Sequence, residues 1–233
     1  MSIEIYQAST ENLRDLKKER KRINVLANRA IRENNIADLS CLTKIYALLY
    51  SAYAEVALTK LIHAPNALND SEISQINTKN NLEEKWIKCV DLAISKLNTN
   101  GNKGEIANKK QTLIRLMQKN ILQPSILRNR VAHGQWKICL NNDCTSINKT
   151  VTDNLEQLDF VRVDSLFYLY DIYSQCILDL LVSTKTHYRD YYALIATLEE
   201  KAQEFDKWTI ETKRNKLISS EKNKRFSKRK SSV

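Results

Sequence analysis

An arginine and a histidine separated by four residues form the part of this sequence best suited to chemistry. They are Arg128 and His133, within the segment ILRNRVAHG at 126–134. A guanidinium is permanently charged and binds phosphate oxygens through paired hydrogen bonds, whereas an imidazole exchanges a proton near neutral pH. With RNA as substrate, the 2′-hydroxyl is a built-in nucleophile. His133 would move a proton and Arg128 would stabilise the transition state, without a metal.

The elements that must position these groups begin with a short helix. Pro124 precedes it and Gly134 follows it, and these are the residue types that open and close helices. At about 100° per residue, Leu127 and Val131 fall within about 40° of each other. These two residues therefore form the stripe that faces the core.

The other side of this helix is polar. Arg128, Asn129 and His133 share one broad face, and the small Ala132 lies among them. Arg130 lies nearer the edge, but it stands three residues before His133 and is an alternative phosphate ligand. From spacing alone, an arginine and a histidine on one helix face are more often solvent-exposed residues without a catalytic role than a catalytic pair.

The hexapeptide RNRVAH, Arg128 to His133, resembles the R-x4-6-H signature of the HEPN superfamily, in which the first variable residue is often Asn, as Asn129 is here. The context is similar as well. A tryptophan-bearing segment, EKWIKCVDLAI, precedes the motif, and LEQLDFVRVDSLFYLYDIYSQCILDLL follows it. The resemblance covers about residues 37–185.

This resemblance implies an up-and-down helical bundle that forms a homodimer, with two motifs in one composite active site. It implies a metal-independent endoribonuclease that leaves 2′,3′-cyclic phosphate or 3′-phosphate ends. By this resemblance Arg128 is the phosphate-binding arginine, Asn129 is the polar residue that orients the site and His133 is the catalytic histidine. Arg130 is assigned to substrate binding from its position on the helix, not from the resemblance. One subgroup has a modified tyrosine two residues after the histidine, but Gln135 stands there, so that regulation is not expected.

Many proteins of this kind are toxins or antiviral effectors, so an antitoxin or other regulatory protein is a possible partner beside RNA. Other members have lost activity and serve as RNA-binding, nucleotide-binding or scaffolding modules. A catalytically silent module is therefore the alternative function.

Glu55 and six tyrosines are further candidates with two interpretations each. Glu55 stands alone in the apolar run YALLYSAYAEVAL. It is either a buried acid that pairs with a site residue such as Arg128 and assists in substrate binding, or a residue at the rim of the bundle. The tyrosines either stack RNA bases or belong to the core or a dimer interface. They are Tyr46, Tyr50, Tyr53, Tyr168, Tyr170 and Tyr173.

Only 3 Gly and 2 Pro occur in 233 residues, which excludes the many turns of a β-sandwich or a doubly wound α/β fold. The sequence predicts an all-α fold with one small β-hairpin after the motif helix, around Asn141. Trp136, Ile138 and Leu140 are expected on one side of it, with Trp136 packing the hairpin onto the bundle. One domain is expected over 1–212, with the helix at about 10–34 as a candidate appendage. Hydrophobic periodicity predicts helices at about 10–34, 38–64, 81–98, 105–120, 153–183 and 186–218, with Asp38 or Ser40 as the N-cap of the second.

The net charge of +10 is concentrated in the C-terminal tail, 213–233. Nine basic residues and one acidic residue lie between Lys213 and Lys230, which leaves the rest of the chain nearly neutral. The tail is either a nucleic-acid-binding arm or a solubilising helix end, and a plain DNA- or RNA-binding protein is a third possible function.

Location and cofactors follow from what the sequence offers. The five scattered cysteines favour free thiols in a reducing cytoplasm. No secretory signal and no uninterrupted apolar run of membrane-spanning length are seen, so no membrane association is expected. With three dispersed histidines and no CxxC pair, neither a metal nor a cofactor is predicted.

Overall fold

The computed structural model describes residues 2–97, 103–121, 130–182 and 187–230, and the chain within these ranges is helical with turns and no strand. The all-α prediction is therefore confirmed. In chain order the helices are α1 (Ser2–Glu33), α2 (Ile36–Ile62), α3 (Asp70–Asn77), α4 (Leu82–Ser95), α5 (Lys103–Asn120), α6 (Lys149–Glu156), α7 (Phe160–Val182), α8 (His187–Asp206) and α9 (Ile210–Lys230).

Helices α2 and α7 form the centre of the bundle. Helix α2 packs between α1 and α7, and α7 also packs against α8, so both carry apolar residues nearly all round. Their aromatic rings meet in the core, where Tyr46 stacks on Phe160 with ring centroids 4.6 Å apart. The interior of the fold is thus built largely by two helices that flank the motif segment in the sequence.

Five of the six candidate tyrosines are buried, in agreement with the interpretation that places them in the core. Tyr168 is the exposed one among the six. The buried hydroxyls have partners: Tyr50 donates to the Ile121 carbonyl at 2.9 Å and Tyr170 donates to the Ala54 carbonyl at 2.6 Å. Because a buried hydroxyl without a partner is costly, these bonds fix the register between helices.

A partly buried polar cluster ties α1 and α9 to the centre. The Asp164 carboxylate accepts hydrogen bonds from Tyr46 at 2.7 Å, Arg20 at 3.1 Å, Asn24 at 3.1 Å and Lys213 at 3.4 Å. Burial alone raises the pKa of Asp164, but the charge of Lys213 and the bonds from Tyr46 and Arg20 outweigh it and lower the pKa below its ordinary value. The charged form of this carboxylate is therefore the one that the cluster stabilises.

Helix α2 is also long and apolar enough to cross a membrane by length and composition, and in the described part of the chain it is the one helix that meets this test. The sequence-based expectation had found no such segment. Half of its apolar window is buried within the bundle, so contact with α1 and α7 accounts for its composition.

Two long helices predicted from the sequence are each broken in two. The predicted helix at 153–183 is α6 and α7, because the Asp159 side chain accepts the Val161 N–H at 2.6 Å and starts a new helix. The predicted helix at 186–218 is α8 and α9, because Thr209 accepts the Thr212 N–H at 3.1 Å.

Two predicted helix starts were also misplaced. Helix α1 begins at Ser2 rather than near residue 10, and Asn35, rather than Asp38 or Ser40, caps α2. The Asn35 side chain accepts the Asp38 N–H, which places the true cap three residues earlier.

Candidate functional site

The motif segment is described from Arg130 onwards, so Arg128 and Asn129 lie outside the described residues. A helical turn covers 130–132 and ends at His133. The Gly134 N–H donates to the Val131 carbonyl at 3.1 Å and the Gln135 N–H donates to the Arg130 carbonyl at 2.9 Å. With Gly134 at a φ of 79°, this is a Schellman helix end, and the prediction that Gly134 closes the helix is confirmed.

A small hydrophobic cluster holds this helical turn in place. Val131, Cys139 and Leu155 are buried together, and Leu48 of α2, Val151 of α6 and Leu158 just after α6 pack around them. Val131 faces this core, as the helical wheel predicted, while Ala132 and His133 are exposed. Burial of Val131 therefore fixes the rotation of the turn and leaves the imidazole at the surface.

The hairpin predicted after the motif is not formed as a pair of strands. A single antiparallel bridge joins Leu140 to Ile147. The loop between them is organised by Asn141, whose side-chain oxygen accepts the N–H of Thr145 at 2.8 Å and of Ser146 at 3.3 Å. Because a side chain takes these amides, they are not available to extend a ladder.

The direction of this segment also differs from the prediction. Trp136 and Ile138 were expected to face the bundle, but they are 38% and 49% exposed, and Cys139 is the buried residue. The Cys139 N–H donates to the Thr152 hydroxyl at 3.0 Å, and its carbonyl accepts from Asn148 at 2.7 Å. These two bonds turn the thiol inward, and burial raises its pKa.

Three side-chain bonds join the loop to the motif turn. Arg130 donates to the Asn142 side chain at 2.7 Å. The Trp136 indole N–H donates to the Val131 carbonyl at 2.9 Å, and the Gln135 side chain accepts the Leu140 N–H at 2.9 Å. Arg130 thus has a positioning contact, and a guanidinium has further N–H donors for a ligand.

Glu55 lies exposed on α2, in agreement with the rim interpretation and not with a buried acid. Its suggested partner Arg128 lies outside the described residues. His63 is buried at the end of α2 and bonds to the Ser2 hydroxyl at 3.1 Å, and burial lowers its pKa. In the described ranges no three His, Cys, Asp or Glu residues come together as a metal-binding group.

Lys44 and Trp136 form a feature that sequence reasoning missed. The Lys44 ammonium lies 5.9 Å from the centre of the Trp136 ring, which brings α2 next to the turn after His133. Both residues line a groove of about 340 Å³ between α2, α6 and the start of α9. The sequence signal was a tryptophan three residues after the motif histidine, which was interpreted as packing.

The basic tail is helical as far as Lys230, and part of its charge is used within the fold. The Lys213 ammonium bonds to Asp164 and lies 4.9 Å from the Phe160 ring. Leu217 packs against the main core. The first two turns of α9 therefore belong to the bundle.

No family model, curated protein or solved structure matches this chain.

Proposed function

We propose that this chain is a metal-independent endoribonuclease that acts as a homodimer, with RNA as its substrate. The observation that supports this most is the exposed position of His133, the last residue of the R-x4-H pattern, at the end of the helical turn 130–132. A buried cluster below the turn and a Schellman motif after it fix this position. The resemblance to HEPN ribonucleases gives the reaction and the roles of Arg128 and Asn129.

The reaction proposed is transfer of the phosphoryl group within RNA. The 2′-oxygen forms a bond to phosphorus while the bond from phosphorus to the 5′-oxygen breaks. One proton leaves the 2′-hydroxyl and one arrives at the 5′-oxygen. The products are a 2′,3′-cyclic phosphate and a 5′-hydroxyl, and water can later open the ring to a 3′-phosphate.

In this proposal His133 transfers a proton and Arg128 stabilises the added negative charge on the phosphate. A homodimer would bring two such motifs into one active site. Arg130 would contribute through substrate binding and through its bond to Asn142, which positions the loop. We therefore expect Arg128→Ala to lower turnover far more than Arg130→Ala.

The central experiment is incubation of the full chain with single-stranded RNA in excess EDTA. Wild type should release fragments ending in cyclic phosphate, and His133→Asn should lose this activity because the amide cannot exchange a proton at neutral pH. The matched control is His63→Asn, which removes a histidine at the far end of α2 and leaves a polar group near Ser2. Equal cleavage by wild type and His133→Asn would exclude the proposal.

The alternative is a catalytically silent module that binds RNA or a nucleotide through the same surface, in scaffolding or in regulation by a partner such as an antitoxin. It is favoured if wild type and His133→Asn bind RNA equally and neither cuts it. Toxin and antiviral roles follow from the family resemblance and are tested in cells, where a cleavage-dependent growth arrest would support them.

A third possible function is nucleic-acid binding through the C-terminal tail alone. It is tested with a truncation that leaves the contacts between α9 and the bundle intact. Removing 221–233 deletes six basic residues but keeps Lys213 and Leu217 in place. If the tail contacts RNA, the slope of log affinity against log salt should become flatter by up to about 4, at about 0.7 per phosphate contact. Loss of all binding, with no cleavage by wild type, would favour this function instead.

A further inference from the structure

We propose that the groove beside Trp136 and Lys44 binds one nucleotide of single-stranded RNA, next to the phosphate that His133 acts on. The base would lie against the Trp136 ring and the apolar wall, and a neighbouring phosphate would contact Lys44 and Lys137. The identity of the ligand rests on the proposed function, whereas the groove is a feature of the described structure.

The groove has the size and lining of a small-ligand site. Its volume is about 340 Å³, which lies in the range of pockets that hold a base-sized group. Apolar residues form its floor and walls, and polar residues lie among them. The apolar residues are Ile36, Leu39, Leu155, Leu158 and Ile210.

Trp136 is held rigidly in this groove by the motif turn itself. Its indole N–H donates to the Val131 carbonyl, which also accepts the Gly134 N–H of the Schellman motif. The edge of the indole is therefore pinned while the side chain stays 38% exposed. A rigid, exposed aromatic ring binds a base with little loss of conformational freedom.

The position of Trp136 relates the groove to the proposed reaction. It lies three residues after His133, and its main-chain N–H donates to the Gly134 carbonyl at 3.0 Å. The imidazole and the indole are thus carried by one tight turn. A nucleotide on Trp136 would therefore lie within three residues along the chain from His133.

Two lysines give the groove a charge suited to phosphate. The Lys44 ammonium lies 5.9 Å from the Trp136 ring centre and bonds to the Ser40 hydroxyl at 3.2 Å. Lys137 is exposed at the same groove, and Glu156 is the acidic residue that lines it. This arrangement favours phosphate on the lysine side and leaves a carboxylate to accept a base amino group.

These contacts favour RNA whose bases are unstacked. A base can reach the Trp136 ring only when it leaves its own stack, as in a single strand, a loop or a bulge. Loss of one base–aromatic contact typically weakens binding between about five- and a hundred-fold. The groove should therefore discriminate single-stranded from double-stranded RNA of the same sequence.

The test is the affinity of the full-length chain for a fluorescein-labelled, 2′-O-methyl single-stranded oligoribonucleotide, which cannot be cleaved by 2′-oxygen attack. Fluorescence anisotropy should show about tenfold weaker binding for Trp136→Leu and several-fold weaker binding for Lys44→Gln and Lys137→Gln. Trp136→Phe should recover part of the loss because it keeps an aromatic ring. Thermal unfolding followed by circular dichroism checks that each variant is folded.

The matched control is Lys79→Gln, which removes the same charge from an exposed position just after α3, outside the lining of the groove. It should bind as wild type does. If Lys79→Gln and Lys44→Gln lower the affinity for the oligonucleotide equally, the lysines act by non-specific charge attraction, and the proposal that the groove binds a nucleotide is wrong. The same conclusion holds if double-stranded RNA competes as well as single-stranded RNA, or if wild type does not bind the oligonucleotide.

Failure of the groove and failure of the proposed function give different results. If Trp136→Leu and Lys44→Gln bind normally while wild type cuts RNA, the groove is wrong and the ribonuclease stands. If both variants bind weakly while wild type does not cut RNA, the groove stands as a binding site and the ribonuclease is wrong.

Discussion

Replacement of Gly134 by alanine tests how the motif turn ends. The φ of Gly134 is 79°, and a Cβ atom built there meets no other atom within 4 Å. Steric contact is therefore not the penalty, and the cost comes from the backbone alone. A residue with a Cβ atom pays about 1–2 kcal/mol in the left-handed region.

Part of this cost is offset because alanine has fewer conformations than glycine in the unfolded chain, worth about 0.4–1 kcal/mol. We expect a net loss of about 1 kcal/mol in the free energy of unfolding, or about 2–4 °C in melting temperature for a chain of this length. Urea unfolding followed by circular dichroism measures it.

Gly134→Asn is the matched variant, because asparagine enters the left-handed region more easily. It should lose less stability than Gly134→Ala. If the turn in either variant relaxes to relieve strain, the hydrogen bond from Gly134 to Val131 breaks and His133 moves. The cleavage rate of the folded protein should then fall as well as the free energy of unfolding. Wild-type stability in both variants would refute the Schellman end and the position of His133 that depends on it.

Two further predictions concern the core below the motif and the polar cluster at Asp164. Val131→Ala removes two methyl groups from the small cluster and should lower the free energy of unfolding by roughly 2 kcal/mol and also lower cleavage. Val163→Ala, at an equally buried position in the main core, should lower the free energy of unfolding by a similar amount and leave cleavage by the folded protein unchanged. Equal cleavage by both variants would argue against the role of the small cluster in positioning His133. Asp164→Asn should cost about 2–4 kcal/mol at neutral pH, because Arg20 and Lys213 lose a charged acceptor. The fold lowers the pKa of Asp164 from 3.8, so the stability that the carboxylate contributes is present above pH 3.8 and is lost as the pH falls through the lower pKa of the folded state. Chemical denaturation at several pH values should show that Asp164→Asn lacks this loss of stability in acid. An identical dependence on pH in wild type and Asp164→Asn would contradict the role given to this carboxylate.

The helical class of the fold could be predicted from the scarcity of glycine and proline, and several helix bounds from periodicity, but the breaks within the two longest C-terminal segments could not. Asp159 and Thr209 both start new helices inside segments that are periodic throughout. Aspartate and threonine occur both within helices and at their N-caps, so the residue type alone does not distinguish these positions. The breaks depend on how α7 and α9 pack against the rest of the bundle.

At the candidate site, the sequence predicted the burial of Val131 and the helix end at Gly134, because both follow from local periodicity and backbone preference. The sequence could not reveal which side chains of the segment after Gly134 point towards the core. A strand pattern places Trp136 and Ile138 inward, but long-range bonds from Thr152 and Asn148 turn Cys139 inward instead. The contact between Lys44 and Trp136 joins residues 92 positions apart, and no local pattern marks it.

The central claim is that a 2′-hydroxyl of the substrate attacks the adjacent phosphate. It is tested most directly with an oligoribonucleotide that carries one 2′-deoxy residue at a mapped cleavage position. The account predicts that wild-type protein stops cutting at that linkage and still cuts neighbouring ribonucleotide linkages to cyclic phosphate ends. Undiminished cleavage at the 2′-deoxy linkage would contradict it.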